Sequence, residues 1–283
     1  MRATPTRATW LASLGACALA GCGVRELAAR ALHHRSGTCV DAAVPSASGV
    51  RVVRGDFASR FVPGRVRYAV ARPDDARPLD AVAYLLPGRG GSADDAIGLG
   101  FDGFLAAWLR GGGRRFAVAA VDAGESYFHP RRAGEDRLAM LTTEFARVVG
   151  ELLGGAPREA LLGQSMGGYG ALLAAERNPK RYRAVAVAGP AIFPSFADER
   201  ASVGDAFDDA EDFARNDVIA HAAALRGVPV LVRAGASDPF VPGVRAFARA
   251  AAQADVRVEP GCHDDGFWRT AAPDMIRFVG RRL

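Results

Sequence analysis

Residues 163–170 of the chain read Gly-Gln-Ser-Met-Gly-Gly-Tyr-Gly. Gly163-x-Ser165-x-Gly167 has the form of a nucleophile elbow, in which a serine occupies a tight turn from a strand to a helix with its hydroxyl above the sheet. A side chain at either glycine would collide with the neighbouring backbone of such a turn. The pattern therefore predicts that Ser165 is a nucleophile.

The residues that flank this motif fit the same turn. Residues 158–163 are a short, mostly apolar run of strand length, and residues 166–177 are rich in Ala and Leu and predict a helix that Asn178-Pro179 stops. With 33 glycines in 283 residues, a bare Gly-x-Ser-x-Gly can arise by chance. The flanks matter for that reason, because a strand, a sharp turn and a helix are the context that the motif requires.

From residue 50 onward, apolar runs alternate with helical patterns. Period-two alternation at 50–56 and 66–71 predicts two leading antiparallel strands. Further strands are expected at 79–86, 115–121, 158–163, 183–188, 228–234 and 256–258, and helices at 101–110, 136–153, 166–177, 217–225, 241–254 and 268–282. Strands that alternate with helices predict one α/β domain over residues 50–283, with a mostly parallel central sheet and helices on both faces.

A serine hydroxyl needs a base within hydrogen-bond reach, and the base needs an orienting acid. In hydrolases with this turn the acid and then the base follow the serine along the chain, which leaves His221 and His263 as candidate bases. His263 is favoured because it follows the last expected strand in a glycine-containing loop, whereas His221 falls in an expected helix. Asp238 is favoured as the acid because it follows the strand at 228–234, at the sheet edge where such sites assemble. The less favoured acids are Asp205, Asp208, Asp209, Asp264 and Asp265.

A tetrahedral intermediate needs N–H donors aimed at its oxyanion. One donor should be the backbone N–H of Met166, directly after the nucleophile. The other should come from Pro87-Gly-Arg-Gly-Gly91, where glycines let the backbone approach a substrate closely. We expect Arg89 to supply it, with Gly90 as the alternative; the loop could also be a turn without a role in catalysis.

The N-terminus predicts a targeting segment. Residues 1–10 carry two arginines and no acids, and the apolar stretch at 11–21 is too short to span a bilayer. Leu19-Ala-Gly-Cys22 resembles a bacterial lipobox, in which the cysteine is acylated after cleavage. We therefore expect a signal peptide over 1–21, a lipid on Cys22, a tether over 22–49 and an exported protein that is anchored in the cell envelope. The alternative is an ordinary secretory signal and a secreted protein.

The chain has four cysteines. Cys17 would leave with the signal peptide, and Cys22 would carry the lipid. Cys39 and Cys262 would then meet an oxidising compartment, where a disulfide can persist. We expect these two residues to pair, and two free buried cysteines are the alternative.

Charge and composition exclude other classes of function. A hydrophobic content of 49% is ample for a core, and the net charge is only +5. The arginines are scattered, with nothing denser than doublets, so no binding to nucleic acid is expected. No His/Cys/Asp cluster has metal-ligand spacing, and the expected chemistry needs no metal or cofactor.

The chain resembles esterases of the esterase D and antigen 85 type within the α/β-hydrolase superfamily. The motifs that carry this resemblance are Leu85-Leu-Pro-Gly-Arg-Gly-Gly91, Gly163-Gln-Ser-Met-Gly-Gly-Tyr-Gly-Ala171, Gly235-Ala-Ser-Asp-Pro-Phe240 and Gly261-Cys-His-Asp-Asp-Gly-Phe-Trp268. The resemblance implies the α/β-hydrolase fold and a serine carboxylesterase that acts through an acyl-enzyme on a small-molecule, lipid or glycan ester. It implies Ser165 as nucleophile, Asp238 as acid and His263 as base, and Arg89 and Met166 as oxyanion donors. It also places residues 191–216, which are acidic and irregular, where such enzymes carry a cap.

Two positions depart from that family. Pro87 stands where an architectural histidine is common, and Asp265 stands where an aromatic residue is common. Residues 126–130 lie in a loop that often borders the site, and Tyr127, Phe128 or His129 could line the pocket or could simply be packed. Two other functions stay open: a mycolyltransferase-like acyltransferase with the same fold, and a non-catalytic envelope lipoprotein.

Overall fold

The computed structural model describes residues 39–75, 77–155 and 157–283. Its strands, in chain order, are β1 (Val50–Ala58), β2 (Arg65–Pro73), β3 (Ala81–Leu86), β4 (Ala117–Val121), β5 (Arg158–Gln164), β6 (Tyr182–Ala188), β7 (Val230–Gly235) and β8 (Asp255–Glu259). They form one sheet in the order β1-β2-β4-β3-β5-β6-β7-β8. β1 with β2 and β2 with β4 are antiparallel, and the other neighbouring pairs are parallel. The predicted leading pair and the mostly parallel sheet are therefore confirmed.

β3 shows how the sequence builds a core on each side of this sheet. Its residues Ala-Val-Ala-Tyr-Leu-Leu are all buried. Successive side chains of a strand point to opposite faces, so Val82, Tyr84 and Leu86 enter one hydrophobic core. The intervening Ala81, Ala83 and Leu85 enter the other core. A strand covered on both faces needs such a continuous apolar run, which is why no polar residue interrupts β3.

Helices cover both faces. In chain order they are α1 (Ala93–Ala96), α2 (Asp102–Arg110), α3 (Arg137–Ala139), α4 (Ala146–Leu153), α5 (Met166–Arg177), α6 (Phe196–Ser202), α7 (Ala210–Asn216), α8 (Val241–Ala250) and α9 (Asp265–Gly280). Leu105 of α2 and Ile276 of α9 belong to the core on one face. Val149 of α4, Leu172 of α5 and Phe247 of α8 belong to the core on the other face. Among the described residues, no helix has both the length and the apolar character needed to span a membrane.

The parallel strands bring their carboxyl ends to one edge of the sheet. Leu86 at the end of β3 is paired in register with Gly163 near the end of β5, so the loop at 87–91 and Ser165 begin side by side. Asp238 follows β7 and His263 follows β8 at the same edge. Loops at this edge are where α/β sheets assemble their sites.

Several helix boundaries differ from the sequence prediction. The last helix begins at Asp265 rather than at 268, because the side chain of Asp264 caps it by accepting a hydrogen bond from the N–H of Phe267 at 2.9 Å. The helix expected at 241–254 ends at Ala250, and only a 3₁₀ turn, Ala222–Leu225, forms where 217–225 was expected. The helix expected at 101–110 begins at Asp102, directly after a kink at Gly100, whose φ is 100°. The helix expected at 136–153 contains a π-helical segment, Met140–Phe145.

Residues 191–216, here called the cap segment, are more regular than predicted, since they contain α6 and α7. Two N-caps explain the difference. Ser195 accepts a hydrogen bond from the N–H of Asp198 at 3.2 Å, and Asp209 accepts one from the N–H of Asp212 at 2.8 Å. These side chains satisfy backbone donors that a helix leaves free at its start. Ser195 and Asp209 are therefore signals for the start of a helix, and the prediction of an irregular segment overlooked them.

The described part of the predicted tether, residues 39–49, lies against the domain. Cys39 and Cys262 form a disulfide. Asp41 accepts hydrogen bonds from two nitrogens of Arg269, at 2.7 and 2.8 Å. The predicted signal peptide at 1–21, the lipidation site Cys22 and the tether up to residue 38 lie outside the described residues.

Glu176 on α5 provides a test of the core packing. It is 7% exposed and its carboxylate has no hydrogen-bond partner among the described residues. Burial, reinforced by the charge of Asp217, raises the pKa of Glu176 from the usual 4.5 to about 9. A raised pKa means that folding favours the neutral acid, so this stability is fully present below pH 4.5 and is lost as the pH rises through 9.

We predict that Glu176→Gln becomes progressively more stable than the wild type as the pH is raised between these values, by up to roughly 1 kcal/mol per pH unit. Urea unfolding at several pH values measures the difference in the free energy of unfolding. Glu151→Gln, at an exposed position of α4, serves as the control. If the free energy of unfolding changes with pH in the same way for the wild type and Glu176→Gln, Glu176 is not buried in its neutral, protonated form.

Candidate active site

Ser165 occupies a strained turn between β5 and α5. Its φ is 51° and its ψ is −122°, a region that non-glycine residues rarely adopt. Tight backbone contacts surround the turn: a Cβ on Gly163 would overlap the carbonyl of Gly167, and a Cβ on Gly167 would overlap the carbonyl of Leu86. Only glycine fits at either position. The elbow is therefore held by backbone packing, and Ser165 remains partly exposed.

His263 joins Ser165 and Asp238 in a continuous hydrogen-bonded chain. Its Nε2 lies 2.9 Å from the Oγ of Ser165, and its Nδ1 lies 2.8 Å from Oδ2 of Asp238. The other carboxylate oxygen of Asp238 accepts a hydrogen bond from the N–H of Phe240 at 2.7 Å. Such a chain can remove the serine proton and hold the resulting imidazolium against a carboxylate.

Close packing fixes the imidazole of His263. The rings of Phe240 and Trp268 lie 5.0 and 5.5 Å from it, centroid to centroid. Gly189 packs beside the pair, since a Cβ there would lie 2.8 Å from Oδ2 of Asp238. His263 and Asp238 are 5% and 4% exposed. The chain of hydrogen bonds is thus shielded from water except at Ser165.

The structure places the two expected oxyanion donors on segments that adjoin Ser165. Met166 begins α5, so its N–H is at the positive end of a helix dipole. A Cβ on Gly88 would lie 3.5 Å from the Cβ of Ser165, which places the 87–91 loop beside the nucleophile. The N–H of Gly90 already donates to the carbonyl of Gly124 at 2.7 Å. This contact favours Arg89 over Gly90.

The cap segment is bound to the neighbouring loops by ion pairs. Two nitrogens of the Arg89 guanidinium donate to the two oxygens of Asp205, each at 2.7 Å. Arg131 donates to Asp208 at 3.0 Å, and Arg132 pairs with Asp209. The acids of the cap segment that were less favoured as catalytic acids therefore have structural partners of their own.

The loop at 126–130 is packed rather than open to substrate. Tyr127, Phe128 and His129 are 2%, 0% and 0% exposed. Nε2 of His129 lies 2.9 Å from the carbonyl of Ala206 in the cap segment, and burial lowers the pKa of His129 below its usual value. His221, the less favoured base, lies on an exposed turn. The packed alternative for this loop is the one that the structure supports.

A cavity of about 590 Å³ opens in front of Ser165. Its walls include the 87–91 loop, Leu99, Gln164 and Trp268, and none of the three aromatic side chains at 127–129. Charged residues also line it: Arg89, Asp94, Asp95, Asp265 and Arg269. The sequence motifs identified the catalytic edge of the sheet but not Leu99, which lies next to the kink at Gly100 between α1 and α2.

Known proteins resemble this chain in sequence. A model of the Putative esterase family matches residues 112–273. Over 137 residues the chain is 34% identical to an S-formylglutathione hydrolase of Paracoccus denitrificans (strain Pd 1222), a match that covers 44% of this chain and 48% of that protein. The chain thus matches about half the length of this relative.

Solved structures show the same architecture. A ferulic acid esterase superposes with a TM-score of 0.71 at 21% identity, over 83% of this chain and 99% of that one. An S-formylglutathione hydrolase from Agrobacterium tumefaciens superposes with a TM-score of 0.70 at 17% identity, over 85% of this chain and 98% of that one. At these identities the likeness shows the fold, and the predicted α/β-hydrolase fold is confirmed.

We predict that Gly167→Ala disrupts the elbow, because its Cβ would overlap the backbone carbonyl of Leu86. The substitution should cost about 3 kcal/mol or more in the free energy of unfolding. Gly227→Ala is the matched control, since a Cβ at Gly227 meets no atom within 4 Å. Chemical denaturation of both variants measures the difference. Equal stabilities would mean that the backbone does not pack tightly at the elbow.

Proposed function

The chain belongs to the Putative esterase family, whose model matches residues 112–273. We propose that it is a serine carboxylesterase that hydrolyses its substrate through an acyl-enzyme on Ser165. The hydrogen-bonded chain from Ser165 through His263 to Asp238 is the observation that carries the proposal. Family membership supports the same chemistry. The proposed substrate is a small-molecule, lipid or glycan ester whose carbonyl enters the cavity in front of Ser165.

His263 moves the proton in both halves of the proposed reaction. Nε2 accepts the proton of the Ser165 hydroxyl as Oγ attacks the ester carbonyl, and the tetrahedral intermediate expels the alcohol, which takes that proton from Nε2. A water molecule then replaces the alcohol, loses its proton to Nε2 and cleaves the acyl-enzyme. The proton returns to Ser165, so acid and alcohol are the only products.

Two further groups support this sequence of steps. Asp238 accepts a hydrogen bond from the Nδ1–H of His263, which holds the imidazole in the tautomer that leaves Nε2 free to accept a proton. The backbone N–H groups of Arg89 and Met166 stabilise the negative charge that forms on the carbonyl oxygen. Fixed donors of this kind contribute several kcal/mol, on the order of 3 kcal/mol each. The side chain of Arg89 is held by Asp205, which keeps its loop in place.

We predict that the protein hydrolyses p-nitrophenyl esters and that Ser165→Ala lowers kcat by about 10⁴-fold or more, since no nucleophile remains. Release of p-nitrophenol from esters of increasing acyl length measures the rate and the size of the acyl pocket. Ser46→Ala, at an exposed position away from the elbow, is the matched control and should retain full activity.

Turnover that survives in Ser165→Ala would contradict the proposed nucleophile.

An acyltransferase would be recognised by its products. Candidate sugar or lipid hydroxyls added to the assay would yield acylated products at the expense of free acid. A protein that turns over no ester and labels with no ester analogue would be a binding protein.

We further propose that the protein is exported and anchored to the membrane through Cys22, which lies outside the described residues. The supporting features are the lipobox-like sequence and the Cys39–Cys262 disulfide, since disulfides persist in oxidising compartments. Labelled palmitate should be incorporated into the wild type and not into Cys22→Ser. Equal labelling of both proteins, or of neither, would contradict the anchor.

A further inference from the structure

The cavity in front of Ser165 has an unbalanced set of charges. Three carboxylates and two guanidinium groups line it. Both guanidinium groups are engaged by acids that are not among the cavity-lining residues: Arg89 by Asp205, and Arg269 by Asp41 through contacts of 2.7 and 2.8 Å. In a bidentate pair of this kind, two nitrogens of the arginine already donate to carboxylate oxygens. An anionic substrate would therefore have to compete with these carboxylates for its partners.

Two of the three carboxylates in the cavity already have partners. Asp94 forms an ion pair with Arg54 at 2.6 Å. Asp95 caps the start of α1, where one of its oxygens accepts hydrogen bonds from the N–H and the hydroxyl of Ser92 at 3.0 and 2.7 Å. These contacts give Asp94 and Asp95 structural partners. Asp265 also has a place in the fold, since an acid in the first turn of α9 is favoured by the helix dipole.

Asp265 differs from the other two acids. It is exposed at the first position of α9, and within the described ranges its carboxylate forms no ion pair with an arginine or a histidine. Arg269 follows one helical turn later, at the spacing that usually gives an ion pair. Its guanidinium instead holds Asp41 with two contacts, so Asp265 receives only its more distant field.

Asp265 lines the same cavity as the nucleophile. It follows His263 by two positions in the chain and shares the cavity with Ser165. Trp268 lies three residues further along α9, on the same side of the helix, and its ring contacts that of His263. A substrate bound with its carbonyl at Ser165 would thus share the cavity with an indole and with a carboxylate that has no ion pair among the described residues.

We propose that Asp265 is a specificity-determining residue that favours esters with a cationic group, such as a protonated amine or a quaternary ammonium, over neutral and anionic esters. This inference rests on the proposed esterase function. Opposite charges attract by about 1 kcal/mol at 4 Å even where both are exposed to water, and salt screens this attraction. Asp265 takes no part in bond making, so its effect is on binding and approach of the substrate.

Acetylthiocholine and its neutral isostere 3,3-dimethylbutyl thioacetate test this directly, because they differ in charge and hardly in shape. The wild type should show a kcat/KM roughly 3- to 10-fold higher for the cationic ester. Asp265→Asn, which keeps the shape and removes the charge, should abolish this preference mainly through KM for the cationic ester. Asp80→Asn, which removes an exposed charge outside the cavity lining, should retain the preference. Added salt should reduce the preference of the wild type.

A second measurement needs no turnover. The rate at which a cationic phosphonate inactivates the enzyme, relative to its neutral isostere, should show the same dependence on Asp265. A wild type without cationic preference, or a preference that Asp265→Asn leaves unchanged, would overturn the role of Asp265 while leaving the esterase proposal intact. If neither esters nor phosphonates react at Ser165, the esterase proposal fails, and the role of Asp265 fails with it.

Discussion

The close backbone contact at the elbow is the constraint on which the rest of the site depends. Gly167 packs against the carbonyl of Leu86, and Gly163 packs against Gly167, so α5 starts directly against the loop that follows β3. This contact forces Ser165 into its strained backbone conformation and raises its hydroxyl above the sheet. The same contact brings the 87–91 loop beside the nucleophile. One packing requirement therefore sets the nucleophile and both proposed oxyanion donors at once.

The electrostatics of the site divide into two parts with different roles. The hydrogen-bonded chain behind Ser165 is buried and short, so its geometry is fixed by packing against Phe240, Trp268 and Gly189. The cavity in front of Ser165 is open and lined with charge, and most of that charge is neutralised in pairs. Buried hydrogen bonds support the reaction at Ser165, whereas a cavity carboxylate without an ion pair among the described residues can select among substrates.

The sequence predicted the features that depend on local pattern. The elbow, the alternation of strands and helices, and the loops at the carboxyl ends of β7 and β8 all follow from residue type and order, so Asp238 and His263 could be named in advance. The helices of the cap segment were also readable in principle, because Ser195 and Asp209 are ordinary N-caps. The first residue of α9 was missed because a cap, and not hydrophobic periodicity, decides where that helix begins.

Contacts between distant residues could not be predicted in this way. Arg89 and Asp205 are 116 positions apart, and only the finished fold brings them together. The same holds for the pair Asp41–Arg269, which removes the natural partner of Asp265. Selective labelling of Ser165 tests the central claim most directly: a fluorophosphonate should add once, on Ser165 by peptide mass analysis, and react far more slowly with His263→Ala. Labelling at another residue, or equal rates in the wild type and His263→Ala, would contradict the account.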